Sequence, residues 1–355
     1  MIHGALTDSS RRASRRARVG AGSVRPRLLT FLAACAALAA GCGGDQSTLR
    51  PESRPARDIA TLWWWMLVIA CVVFAGALSM LGIAWLRRRR EGMPLLKGGA
   101  TRDMGLVVAF GIVIPIAVNV GVFIIANFFV IRQTEAPAAT TTPLTVDVIG
   151  RQWFWDVRYP GTRAVTANEI HIPVRTRVNV VATTGDVIHS FWVPQLNRKI
   201  DMIPGHTNHV LLEAEQPGRY RGQCAEFCGP QHAHMAMYVY ADAPGDFRRW
   251  LDAMAADRRP PATAAERRGE AVFDRNACAS CHTIRGTAAR GDIGPDLTHL
   301  QSRSTLAALT IPNRPADLAA WVRDPQHVKP GNRMPALALP DRDFRDLLAY
   351  LESLK

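Results

Sequence analysis

Four of the seven cysteines in this chain fall into two close polar pairs, Cys224 with Cys228 and Cys278 with Cys281, and each pair stands beside further metal-binding donors. The first run reads Cys224-Ala225-Glu226-Phe227-Cys228-Gly229-Pro230-Gln231-His232-Ala233-His234-Met235. Thiolates select soft metals, imidazole suits copper or zinc, and a thioether shifts the choice toward copper. Gly229 and Pro230 favour a turn over a continuing helix, which lets the donors converge. A second imidazole is wanted from elsewhere in the chain. His189, which precedes the apolar segment Ser190-Phe191-Trp192-Val193-Pro194, is the first choice, with His206, His209 and His234 as competitors. On these residues alone a tetrahedral zinc site made by His189, Cys224, Cys228 and His232 remains open, as does a disulfide at either pair in an exported protein.

The second run, Cys278-Ala279-Ser280-Cys281-His282, has the C-x-x-C-H pattern by which two thiols attach a c-type heme and the histidine becomes an axial ligand of the iron. The other axial ligand must come from a distant residue. Met334, followed by Pro335 and 52 residues after His282, would raise the iron potential as a thioether ligand, whereas His299 or His327 would give a lower one.

The intervening sequence says what kind of scaffold holds these donors. Val146-Asp147-Val148-Ile149, Val178-Asn179-Val180-Val181, His209-Val210-Leu211-Leu212 and Met237-Tyr238-Val239-Tyr240 read as short strands, punctuated by glycine and proline. Without a long helical pattern between them, a small antiparallel sandwich or barrel is expected. Helices are expected over 244–256, 265–276, 315–323 and 341–354. In the last, Phe344, Leu347, Leu348 and Leu351 make one apolar face at i, i+3, i+4 and i+7. Arg258 to Ala264, with two prolines, reads as a linker.

Two apolar stretches, about Thr61 to Leu86 and Met104 to Ile131, are long enough to cross a bilayer as helices. The short loop between them carries Arg87, Arg88, Arg89, Arg90, Lys97 and Arg102, so the positive-inside rule puts it in the cytoplasm and everything after Gln133 outside. Trp63, Trp64, Trp65 and Trp85 stand where interfacial anchors belong. Before them, an arginine-rich start and an alanine-rich apolar run read as an export signal over 1–42, with Cys35 and Cys42 in boxes resembling a lipoprotein cleavage site.

The net charge of +13 would suggest nucleic acid if it were spread over the soluble parts. It is not: Pro143 to Trp250 holds eleven basic and ten acidic residues, and Glu266 to Lys355 thirteen and eleven. The excess lies in the export and loop segments, so it concerns membrane targeting and lipid, and no nucleic-acid partner is expected.

The metal run resembles the binuclear copper site of cytochrome c oxidase subunit II, a distant histidine followed by C-x-E-x-C-x3-H-x2-M. The resemblance implies side-chain ligands at His189, Cys224, Cys228, His232 and Met235, with the Glu226 carbonyl completing the site and both sulfurs bridging two coppers. Gln152-Trp153-Phe154-Trp155 is similar to the family's aromatic stretch, which makes Trp153 the point where electrons are admitted. Asp201-Met202-Ile203-Pro204-Gly205 resembles the run that faces subunit I, where the Glu226 carboxylate would help hold a magnesium ion. Gly294-Pro295-Asp296-Leu297 and Asn332-Arg333-Met334-Pro335 resemble class I cytochromes c, with the Pro295 carbonyl orienting the heme histidine.

The resemblance covers about residues 59–355 and implies a multidomain chain: a two-helix transmembrane hairpin (59–132), a cupredoxin-like β-sandwich (143–240), a linker (241–264) and an all-α cytochrome c domain (265–355). The implied role is that of subunit II in an aa3/caa3-type oxidase of the bacterial plasma membrane, with both soluble domains on the periplasmic or outer side. Cytochrome c would be the donor, and subunits I and III the neighbours. The chain itself needs no general acid, base or nucleophile. One departure stands out: the family's glutamate, tryptophan and threonine ahead of a proline in the second helix are replaced by Val108, Gly111 and Ile112 ahead of Pro115. That glutamate is associated with proton admission to subunit I, so the route would fall to Asp103 or another subunit. A copper-containing nitric oxide reductase small subunit and a membrane-tethered carrier without a catalytic partner are the alternatives. A quinol oxidase subunit would have no need of copper ligands.

Overall fold

The structure is a computed structural model that describes residues 44–88, 100–135 and 142–355. The export segment with Cys35 and Cys42, most of the arginine-rich loop and the side chain of Asp103 lie outside the described residues.

Helix α1 (Arg54–Arg88) begins where the Ser53 hydroxyl accepts the Ala56 amide at 3.1 Å, an N-terminal cap that satisfies one of the free donors of the first turn. The second helical run consists of α2 (Ala100–Val108), a π-helical turn (Ala109–Val113), α3 (Ile114–Ile125), a second π-helical turn (Ala126–Ile131) and α4 (Arg132–Thr134). The first π turn lies directly before Pro115, which has no amide hydrogen to continue the α-helical ladder; the Ile114 amide reaches back to Ala109 instead. Val108, Gly111 and Ile112 sit at the end of α2 and in this turn. Arg54–Leu86 and Met104–Ile131 each contain an 18-residue stretch, of mean hydropathy 2.5 and 2.6, and expose their apolar side chains, as lipid-facing or subunit-facing helices do.

Ten strands form a sandwich: β1 (Leu144–Arg151), β2 (Phe154–Arg158), β3 (Val165–Ala167), β4 (Glu169–Pro173), β5 (Val178–Thr184), β6 (His189–Trp192), β7 (Ile200–Met202), β8 (Asn208–Leu212), β9 (Gly218–Cys224) and β10 (Ala236–Asp242). One sheet has the order β3-β2-β1-β5-β8 and the other β4-β10-β9-β6-β7. Alternate residues of β1, Val146 and Val148, point into a core shared with Val178, Val180, Phe191, Tyr220 and Met237. The sheets are mixed, not wholly antiparallel as the strand pattern suggested, because β1 pairs with β5 and β10 with β4 in parallel. Parallel neighbours need a long crossover, and the three strands between β1 and β5 supply one. Short-range strand signals carry no information about such a pairing.

Helix α5 (Pro244–Ala255) packs Phe247, Trp250 and Met254 against the sandwich. After an irregular stretch, 256–263, come α6 (Ala264–Arg275), α7 (Cys278–Cys281), α8 (Pro315–Arg323), α9 (Pro325–Val328) and α10 (Asp341–Ser353), with a short hairpin of β11 (Thr305–Leu306) and β12 (Ile311–Pro312). Thr263 and Glu266 form a reciprocal capping box at the start of α6. Val272, Phe273, Leu318, Leu347, Tyr350 and Leu351 make a second core.

The sandwich is also fastened to both membrane helices. Ser53 donates its hydroxyl to the Leu196 carbonyl, and Asn197 Nδ2 donates to Thr134 at 3.1 Å and Leu211 at 2.6 Å. Arg57 pairs with Glu215 beside them. The loop after β6 therefore takes the ends of both helices, which fixes the sandwich relative to the membrane.

Candidate functional site

The metal-binding cluster lies at one end of the sandwich. β6 begins with His189, β9 ends with Cys224, and the loop from Ala225 to Met235 folds back between them. The Cys224 and Cys228 sulfurs are 3.8 Å apart; His189 Nδ1 is 3.9 Å from Cys224, while His232 Nδ1 and Met235 Sδ are 3.7 Å and 3.8 Å from Cys228. The Glu226 carbonyl oxygen lies 3.2 Å from Cys224 Sγ. His189, Cys224 and Cys228 form the cluster of three potential ligands found among the described residues, and all three are buried. The loop can turn so tightly because Gly229 adopts φ +113°, where a Cβ would come within 3.0 Å of the Trp153 ring.

A hydrogen bond from its neighbour holds Cys224 well below the ordinary thiol range, helped by His189 and by nearby backbone groups. The same contact, with burial, pushes Cys228 upward. Cys224 and Cys228 could both hold a soft metal as thiolates, with the remaining proton released on binding. His189 is aimed by a residue that the sequence reading missed: its Nε2 lies 2.9 Å from Asp186 Oδ1, which turns Nδ1 toward the sulfurs. Burial raises Asp186, but hydrogen bonds from His189 and from the Gln152 and Val187 amides outweigh it and keep the carboxylate ionised. A carboxylate bonded to the far nitrogen of a ligating imidazole is a recurrent way of fixing its tautomer. Its signal in sequence was an acidic residue three positions before the histidine.

The competing histidines lie elsewhere. His206 and His209 are exposed, and His209 Nδ1 is 3.1 Å from Asn179; His234 is exposed and faces Gln231 Oε1 at 2.8 Å. Trp155 is fully buried in the core, whereas Trp153 is half-buried and donates its indole N–H to the Cys228 carbonyl at 3.0 Å. Gln152 donates to the same carbonyl at 2.8 Å.

The second site is a crevice lined by Cys278, Cys281, His282, Pro295, Arg303 and Met334, among others. His282 Nδ1 donates to the Pro295 carbonyl at 2.8 Å, which leaves Nε2 free, and burial pulls the ring below the ordinary imidazole range and keeps it neutral. Gly294 is needed beside it, since a Cβ there would lie 2.4 Å from the ring. His299 is engaged with the carbonyls of Lys355 and Ala256 through both ring nitrogens, at 3.0 Å and 3.1 Å, and neither His299 nor His327 lines the crevice. A macrocycle with anionic substituents would find a counter-charge in buried Arg303, whose Nε has no hydrogen-bond partner among the described residues. The crevice is not closed by the helical domain alone. Gln152, Trp153, Phe154 and Asn168 of the sandwich complete its wall, so one indole touches both sites. Arg303 and Lys329, both buried there, had no local signature.

Comparison with known proteins gives two family matches: cytochrome c oxidase subunit II, periplasmic domain, over residues 162–241, and cytochrome c over residues 266–355. Cytochrome c oxidase subunit 2 of Alkalihalophilus pseudofirmus is 36% identical over 233 residues, covering 65% of this chain and 67% of that protein. The subunit 2 protein of Bacillus subtilis is 27% identical over 350 residues, covering 93% and 98%. Among solved structures, the periplasmic domain of subunit II of cytochrome oxidase of Bradyrhizobium japonicum is 30% identical with a TM-score of 0.31, covering 34% of this chain and 96% of that one.

Proposed function

Because the chain belongs to the cytochrome c oxidase subunit II family, joined here to a class I cytochrome c domain, we propose that it accepts electrons from cytochrome c through a covalent heme c and a dinuclear copper centre and passes them to subunit I of an aa3/caa3-type oxidase. It is a membrane protein with two transmembrane helices and a soluble part facing the periplasm. Oxygen reduction coupled to proton translocation would take place on the partner, with subunit III alongside.

The observation that carries the copper reading is the size of the donor set. Three side chains and one carbonyl surround a pair of sulfurs only 3.8 Å apart, six donors in all and more than a four-coordinate zinc site can use. His189, Cys224, Cys228, His232 and Met235, with the Glu226 carbonyl, would hold two coppers; Cys278, Cys281, His282 and Met334 would hold the heme. When bound, the two groups supply one-electron redox couples, and this chain's residues hold them, exclude water and keep Trp153 against both sites. Trp153 is the proposed point of electron admission to copper. The Glu226 carboxylate would help bind magnesium at the subunit I interface. It joins no other acidic or imidazole group in a cluster among the described residues, so further ligands would come from the partner.

Isolation of the native complex with an oxygen-uptake assay on reduced cytochrome c tests the reading. Oxygen consumption is expected; a complex that reduces nitric oxide and not oxygen overturns it. Zinc, or one copper per covalent heme in this chain, would overturn the dicopper assignment.

A further inference from the structure

Lys329 directly follows α9, in the loop that leads to Met334, and it is only 2% exposed. Among the described residues it has no carboxylate partner. Its Nζ instead donates to three backbone carbonyls: Trp153 at 3.1 Å, His234 at 2.8 Å and Ala307 at 2.9 Å. Burial pulls the amine down to about 7; in its charged form it has three N–H donors, one for each of these acceptors.

The three carbonyls belong to three different segments. Trp153 lies in the turn whose indole bonds Cys228, His234 lies in the metal loop, and Ala307 begins a turn on the crevice wall. That last turn is strained, since Ala307, Ala308 and Leu309 all have left-handed backbones, φ +53°, +58° and +67°, without a glycine among them. Such conformations persist only where the surroundings hold them. Around the lysine, Gln231 donates to the Pro330 carbonyl and Arg333 to Gln152 Oε1, so the same loop meets the sandwich on both sides.

We propose that Lys329 is a positioning residue that locks the Met334 loop, the Trp153 turn and the metal loop into one rigid block, closing the Trp153 face of the copper domain to any donor except the chain's own cytochrome domain. The inference rests on the function proposed above. It makes transfer between the two centres, one oxidised as the other is reduced, independent of domain motion.

Hydrogen exchange on the full chain tests the lock without any need for turnover. In Lys329→Met, amides of 329, 331–334 and 153–154 should exchange at least about tenfold faster than in the unaltered chain, because three buried acceptors lose their donor. Lys329→Gln, which keeps two N–H donors, should fall between them and serves if the methionine variant does not accumulate. Unchanged exchange in both variants overturns the proposal. In the unaltered native complex, heme-to-copper transfer after flash reduction should not slow as solvent viscosity rises, and a viscosity-dependent rate would also overturn it. Absence of any heme-to-copper transfer would instead sink the proposed function and leave the exchange result standing.

Discussion

At the scale of single residues, the site separates into donors and the groups that aim them. The candidate donors were legible because C-x3-C-x3-H-x2-M and C-x-x-C-H place groups able to bind soft metals at fixed local spacings, and chemistry alone limits what such spacings can bind. The aiming groups were harder to see. Asp186 is near His189 in sequence but gains its role from the backbone bend before β6; Lys329 acts across as many as 176 residues through carbonyls, which every residue possesses. Asp186→Asn should lower copper affinity by about 10- to 100-fold, since the imidazole loses its ionised partner. Chelator competition on the full chain would measure this, with covalent heme content unchanged. Affinity equal to that of the original chain would mean that His189 is oriented by packing alone.

At the scale of elements, helix ends and strand cores followed from local rules, whereas sheet pairing did not. The helices at Pro244–Ala255, Ala264–Arg275, Pro315–Arg323 and Asp341–Ser353 start at prolines, caps or acidic turns that the sequence displays. The β1–β5 parallel pairing depends on how the whole chain crosses between sheets. Within the cytochrome domain α6 and α10 are joined by Arg268, which donates two hydrogen bonds to Asp346 at 2.7 Å each. Those bonds hold the Asp346 carboxyl below its ordinary range. A carboxylate with a depressed folded pKa stabilises the fold above its unfolded value, and this contribution is lost as pH falls through the folded one. Thermal unfolding of the full chain, followed by helical circular dichroism, should therefore weaken below about pH 4. Asp346→Asn should be less stable near neutrality and show a flatter acid slope. An acid slope identical to that of the original chain would contradict the assignment.

At the scale of the molecule, what matters is that three bodies share fixed contacts. The membrane helices are tied to the sandwich through Ser53, Asn197 and Arg57, and the cytochrome domain meets the sandwich through Lys329, Arg333 and a Glu169–Ser304 pair, and the join through His299. Composition identified these parts but read the proline-rich join as a spacer. The structure shows Arg258 in that join paired with Glu270, and Asp257 paired with Arg163. Long-range docking of this kind leaves no periodic pattern to find. Anaerobic stopped-flow mixing of the oxidised native complex with reduced cytochrome c, observed at the heme c and copper absorbances, tests the two-centre electron path most directly. Heme c should be reduced first and the copper centre after it, at the rate at which heme c is reoxidised; copper that stays oxidised while the large subunit takes up electrons would contradict that path.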